Sequence, residues 1–227
     1  MVFGSTRKLN NIETVDIYIN RSTLDRTDKF KYLGIIFNQS LTWHDHVDYL
    51  VKKINQRIGL MKRVKHLLPI SARITLYNSL IAPLFDYGDI VWGDKNNEVL
   101  MSYLQTLQNK AAKIILNKPF YSSASEALNT LGFKILSCRR KVNRLTTVYK
   151  CINGEIDFNL LENVHSNSHI HSYNTRTKEN FHLPRVRTNW GKQRFVYQST
   201  KEYNSLKQDC KKCSTLVSFK KSLNTIF

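Results

Sequence analysis

The spacing of apolar residues changes character along the chain. In VDIYINRS, Val15, Ile17 and Ile19 alternate with polar residues, the period of a half-buried strand. After the polar break RSTLDRTD, residues 30–37 are aromatic and β-branched apart from Gly34 and read as a second strand. The two segments are expected to pair as an antiparallel hairpin with a loose connection. Gly34 is expected inside the second strand, near its turn, where a missing side chain lets another backbone approach.

From Val47 the period becomes helical. Val47, Leu50, Val51, Ile54, Ile58, Met61 and Val64 recur every three or four residues, with Lys52, Lys53, Arg57, Lys62, Arg63 and Lys65 on the remaining surface. Pro69 ends that helix. A second is expected over residues 71–82 on the stripe Ile74, Tyr77, Leu80 and Ile81, broken or kinked by Pro83. LFDYGDIVWG then reads as a buried packing segment. Further helices are expected over 98–117, from Ser123 to a stop at Gly132, over 136–152 and near 216–226. The helix over 136–152 is expected to bury Cys138, Val142, Leu145, Tyr149 and Ile152, leaving its arginines outside. Residues 160–200 lose periodicity. The pattern predicts a mainly α fold with a small N-terminal β-hairpin, a helical bundle and an irregular basic C-terminal module.

The 227 residues carry 35 Lys and Arg against 17 Asp and Glu, a net charge of +18. Such an excess repels itself in a compact fold unless a polyanion balances it, which makes nucleic acid the leading partner class. Between Lys134 and Arg194 there are twelve Lys and Arg against four acids. No apolar run is long enough to span a membrane, and the N-terminus has no apolar leader segment, so an intracellular, non-membrane protein is expected. Its four cysteines, Cys138, Cys151, Cys210 and Cys213, are then reduced thiols.

Several residues admit two readings. Cys210 and Cys213 are half of a zinc or redox pattern or an incidental pair among lysines; His165, His169 and His171 are the histidines that would complete a zinc set. His44 and His46 are either metal ligands or a polar helix start. Trp43, Tyr87 and Trp92 either stack on bases or fill the core.

Longer fragments carry a resemblance. FKYLGIIFNQSLTWHDHV, LLPISARITLYNSLIAPLFDYGDIVWG, LQTLQNKAAKIIL, NTRTKENFHLPRVRTNWGKQRF and STLVSFKKSL stand in the order they have in LINE-type (non-LTR) retrotransposon reverse transcriptases. The chain resembles the C-terminal part of that family: primer grip, thumb and C-terminal region. The resemblance implies that residues 1–38 end a palm with a primer-grip hairpin, that 39–117 form a thumb-like bundle, and that 118–227 form a C-terminal basic region. It implies Phe30, Tyr32, Leu33 and Gly34 as primer-grip residues. Where the family often shows W-N-x-L-P, this chain has EYNSL followed by Lys207, with Tyr203 in place of the tryptophan and no proline.

The aspartate pair that holds Mg²⁺ in such polymerases has no counterpart in this sequence, so the chain alone is expected to be catalytically incompetent. Mg²⁺ is implied for the full-length polymerase only, and no metal or catalytic residue is expected in this fragment. The expected partners are an RNA–DNA or DNA duplex, an RNA template, and the palm and endonuclease parts of the polyprotein, in the nucleus or cytoplasm. Lys52, Lys53, Arg57, Arg139, Arg140, Arg144, Arg176, Arg185, Arg187, Lys192 and Arg194 are the expected phosphate contacts. The alternative is a non-enzymatic basic helical structural or interaction protein.

Overall fold

The computed structural model describes residues 1–11, 17–93, 98–156, 164–170, 172–173 and 175–227. Val15 and His171 lie outside them. In chain order come α1 (Thr6–Leu9), β1 (Tyr18–Ile19), β2 (Ser22–Thr23), β3 (Lys29–Tyr32), β4 (Ile35–Asn38), α2 (His44–Val64) and α3 (Ile70–Leu76). A π-helical turn, Tyr77–Ile81, leads into α4 (Ala82–Asp86) and α5 (Asp89–Trp92), then α6 (Glu98–Ile115), α7 (Ala124–Leu131) and α8 (Leu136–Ile152). The chain closes with α9 (Asn167–Ile170), α10 (Asn189–Gln193), α11 (Phe195–Asn204), α12 (Gln208–Lys211) and α13 (Leu216–Ile226). The protein is mainly α, with small hairpins near its N-terminus. Contacts divide it into one unit of residues 1–88 and 102–124 and another of residues 89–101 and 125–227.

The strands differ from the sequence expectation. Residues 30–37 are not one strand: β3 and β4 pair with each other, antiparallel, with Phe30 opposite Phe37 and Tyr32 opposite Ile35. The connection is Leu33–Gly34, with φ of 46° and 83°. Two successive left-handed residues make the turn whose twist matches a tight hairpin. Gly34 therefore serves the turn and not a strand, because φ in this region strains any residue with a Cβ. The segment before it folds on itself in the same way: β1 pairs with β2 across Asn20–Arg21, also at positive φ.

In the first unit, α2 buries Val47, Leu50, Ile54, Ile58 and Met61, as its period requires. Tyr77, Ile81, Phe85, Leu104, Ala111 and Ile115 are buried with them. Of the two expected outcomes at Pro83, a break and a kink, the outright break does not occur. The backbone widens into the π turn ahead of it, and Pro83 sits in the first turn of α4, where its missing N–H costs least.

In the second unit, α8, α11 and α13 surround Leu145, Val148, Tyr149, Tyr203, Leu206, Cys210, Phe219 and Leu223. Tyr149 stacks on Phe219 at 4.5 Å and donates to the Cys213 carbonyl at 3.0 Å. All four cysteines are free thiols. Tyr203 fills the core where the family pattern has tryptophan. Asn204 accepts from the Phe181 N–H at 2.9 Å and donates to its carbonyl at 2.7 Å, fastening the preceding loop to α11.

Candidate nucleic-acid interface

The hairpin and α2 are joined by side chains that also define a surface. Lys29 pairs with Asp45, which accepts from Asn38 Nδ2 at 2.9 Å as well. The Ile36 N–H donates to His46 Nδ1 at 3.3 Å. His46 is not a polar helix start: it is 1 % exposed, and burial pushes its imidazole down to about 4 from the ordinary 6.5.

This shift predicts a pH dependence. The unfolded chain protonates at this site near 6.5, the folded chain only near 4, so stability is lost as pH falls through that window. Between pH 7 and 5 the loss is about 2 kcal/mol. His46→Asn keeps an acceptor near Nδ1 but does not titrate. Denaturant unfolding at the two pH values is expected to show a wild-type loss that exceeds the variant's by that amount; equal losses would contradict it.

One turn along α2, two lysines converge on Tyr49. Lys31 from β3 donates to the phenol at 3.0 Å and lies 4.7 Å from the ring centroid, and Lys53 from α2 lies 4.6 Å from it. Hydrogen bonds from Lys31 and Lys53 hold the Tyr49 hydroxyl below the usual tyrosine range. Bringing two ammonium groups to one half-buried tyrosine concentrates positive charge at its phenol. Lys31 and Tyr49 were not singled out by sequence, because only the hairpin's tight turn carries Lys31 to α2.

Further along α2, Lys52, Gln56, Gly59 and Arg63 share one face by helical spacing. Lys52 and Arg63 are exposed, and no atom lies within 4 Å of where a Gly59 Cβ would stand. Between Asp48 and Asp86 the chain has seven Lys and Arg and no acid. Arg57 is engaged differently: its guanidinium donates to the Leu80 carbonyl in the π turn.

The residues expected to form a primer grip lie on this hairpin. Phe30, Tyr32 and Leu33 are exposed, and Tyr87, itself exposed, donates to the Leu33 carbonyl at 2.7 Å. Trp43 packs edge-on against Phe37 at 5.5 Å, whereas Trp92 is core.

Two of the expected phosphate contacts are not on the surface. Arg140 is 5 % exposed; it lies over the Trp92 ring at 5.2 Å, and its Nη1 donates to Met101 Sδ at 3.0 Å. Arg144, 6 % exposed, makes a two-pronged bond to Glu202, Nε to Oε2 at 3.0 Å and Nη2 to Oε1 at 2.8 Å. The apolar stripe of α8 is therefore widened by arginines that face inward, and Ile152, expected inside, is exposed. Arg139 is half-buried, beside a cavity of about 200 Å³ lined also by Phe133, Lys134 and Asn143. Arg176, Arg185, Arg187, Lys192 and Arg194 are all exposed, and no acid occurs between Glu179 and Glu202.

Cys210 is part of the core and His169 bonds Ser166 Oγ at 2.7 Å. Among the described residues, no three His, Cys, Asp or Glu stand together so as to hold a metal ion. Nor is any helix among them long and apolar enough to cross a membrane.

No protein-family model matches the chain, and no solved structure does. It is 29 % identical over 113 residues, 48 % of its length, to a probable RNA-directed DNA polymerase from transposon BS of Drosophila melanogaster. It is 28 % identical over 104 residues, 44 % of its length, to a probable RNA-directed DNA polymerase from transposon X-element of the same species. It is 30 % identical over 108 residues, 46 % of its length, to the RNA-directed DNA polymerase from mobile element jockey of Drosophila funebris. The matches span 11 or 12 % of those relatives' own length. Over a little under half its length, then, the chain is similar to part of the RNA-directed DNA polymerases of Drosophila mobile elements, and the resemblance to non-LTR retrotransposon reverse transcriptases is borne out.

Proposed function

We propose that this chain is a nucleic-acid-binding part of a non-LTR retrotransposon reverse transcriptase that holds primer–template duplex through its phosphates. The observation that carries the reading is the convergence of Lys31 and Lys53 on Tyr49, where the part of α2 without acids begins just after Asp48. In this reading residues 1–38 end a palm and present Phe30, Tyr32, Leu33 and Gly34 to the primer end. Residues 39–117 act as a thumb, and 118–227 add the exposed basic segment Arg176–Arg194. Phosphate contacts position a duplex without reading its sequence, which suits a polymerase. The palm and endonuclease of the polyprotein are its protein partners, and it works where the element's RNA and DNA are, in cytoplasm and nucleus.

The chain supplies no polymerising chemistry of its own, since its sequence lacks the aspartate pair that would hold Mg²⁺.

Gly59 tests the surface. A glycine inside an exposed helix costs about 0.5–1 kcal/mol relative to alanine. Among the described residues nothing lies within 4 Å of a Cβ at this position, which leaves room for a close-approaching duplex backbone. Gly59→Ala is expected to stabilise the fold while weakening duplex binding severalfold. A variant that gains stability and keeps full affinity would contradict the surface, and nucleotide incorporation by the purified chain on a primed template would contradict its inactivity.

A further inference from the structure

The turn between α6 and α7 displays two aromatic rings to solvent. Phe120 is 89 % exposed and Tyr121 88 %. They are the central residues of a turn closed by the Ser122 N–H to the Pro119 carbonyl at 3.1 Å, with Ser122 Oγ donating to the same oxygen at 2.6 Å. The turn is braced on both sides. At the end of α6, Asn117 adopts φ 53°, and the Lys118 N–H reaches back to the Lys113 carbonyl at 2.9 Å. Lys113 Nζ donates to the Phe120 carbonyl at 2.8 Å and lies 5.7 Å from its ring. Lys65, from the end of α2, donates to Asn117 Oδ1 at 2.7 Å.

Two large rings held outward on a braced turn forgo the burial that ordinarily stabilises such side chains. Their surroundings say what covers them. Lys65, Lys113 and Lys118 stand around the turn, and no acid occurs between Glu98 and Glu126. Aromatic rings among lysines are the composition of a stacking platform, where rings meet base faces and ammonium groups meet phosphates. Inside a duplex those base faces are already closed by their neighbours, so the rings suit unpaired bases.

We propose that the Phe120–Tyr121 turn is a stacking site for unpaired bases of single-stranded nucleic acid, with Lys65, Lys113 and Lys118 beside its backbone. It goes beyond the duplex surface of α2 and rests on the nucleic-acid-binding reading of this chain only for the class of ligand.

The test uses the full chain and an oligothymidylate of about a dozen nucleotides carrying one 2-aminopurine, whose fluorescence is quenched by stacking on a ring. The double variant Phe120→Ala/Tyr121→Ala is expected to bind it roughly ten- to a hundredfold more weakly and to lose most of the quenching. Its melting temperature and its affinity for a blunt duplex should not change, because neither ring is packed against the fold. Phe120→Trp is expected to keep the affinity. Unchanged single-strand affinity in the alanine variant overturns the proposal and leaves the rings to a protein contact. An equal loss for single strand and duplex also overturns it. A wild-type chain that binds duplex but not the oligonucleotide overturns this site alone, whereas one that binds neither removes the duplex reading as well.

Discussion

Replacing either Arg144 or Glu202 by a leucine is expected to lower the unfolding free energy by about 3–5 kcal/mol, and replacing both is expected to restore most of it. The two groups are matched at 2.8 and 3.0 Å with their side chains 7 and 8 % exposed. A single replacement leaves the other charge buried with no counterion, which is the costly case. Removing both removes the desolvation penalty along with the attraction, and leucines can fill the space. Denaturant unfolding of the four proteins gives the coupling directly. Additive losses would mean that the pair is not the unit of stability it forms in the structure. The same result bears on binding: any loss of nucleic-acid affinity in an Arg144 variant should follow the loss of fold, not the removal of a phosphate contact.

Helices whose cores are apolar were legible from the sequence. The expected bounds of α8 and α13 agree with the structure, and the buried face of α2 contains only residues of the expected stripe plus His46. What was not legible has a common physical cause. α11 buries Gln198, Ser199, Thr200, Glu202 and Tyr203, so its inward face has no apolar period and its sequence reads as loop. The acid that neutralises Arg144 stands 58 residues away, and no local pattern announces it. The inward turn of Arg140 likewise depends on Trp92 and Met101. Lys31 escaped notice because residues 30–37 read as one strand when Leu33–Gly34 is in fact a turn. Leucine is a poor marker for a left-handed position, and a lone glycine also occurs inside strands, which is where Gly34 was expected.

Duplex affinity of the wild-type chain is expected to fall log-linearly with salt and to be indifferent to sequence, as phosphate contacts dictate. Each phosphate neutralised contributes roughly 0.9 to the slope of log affinity against log salt. Lys31, Lys52 and Lys53 lie on or beside the surface built around Tyr49, and their removal deletes no buried contact. The decisive measurement for phosphate binding by this surface is therefore a salt series of filter binding to random-sequence RNA–DNA hybrids, comparing wild type with Lys31→Gln/Lys52→Gln/Lys53→Gln. The variant's slope is expected to be shallower by about three, with a large loss of affinity at low salt for every hybrid and an unchanged melting temperature. A slope that stays the same would contradict it and move the phosphate contacts to the exposed arginines between Arg176 and Arg194.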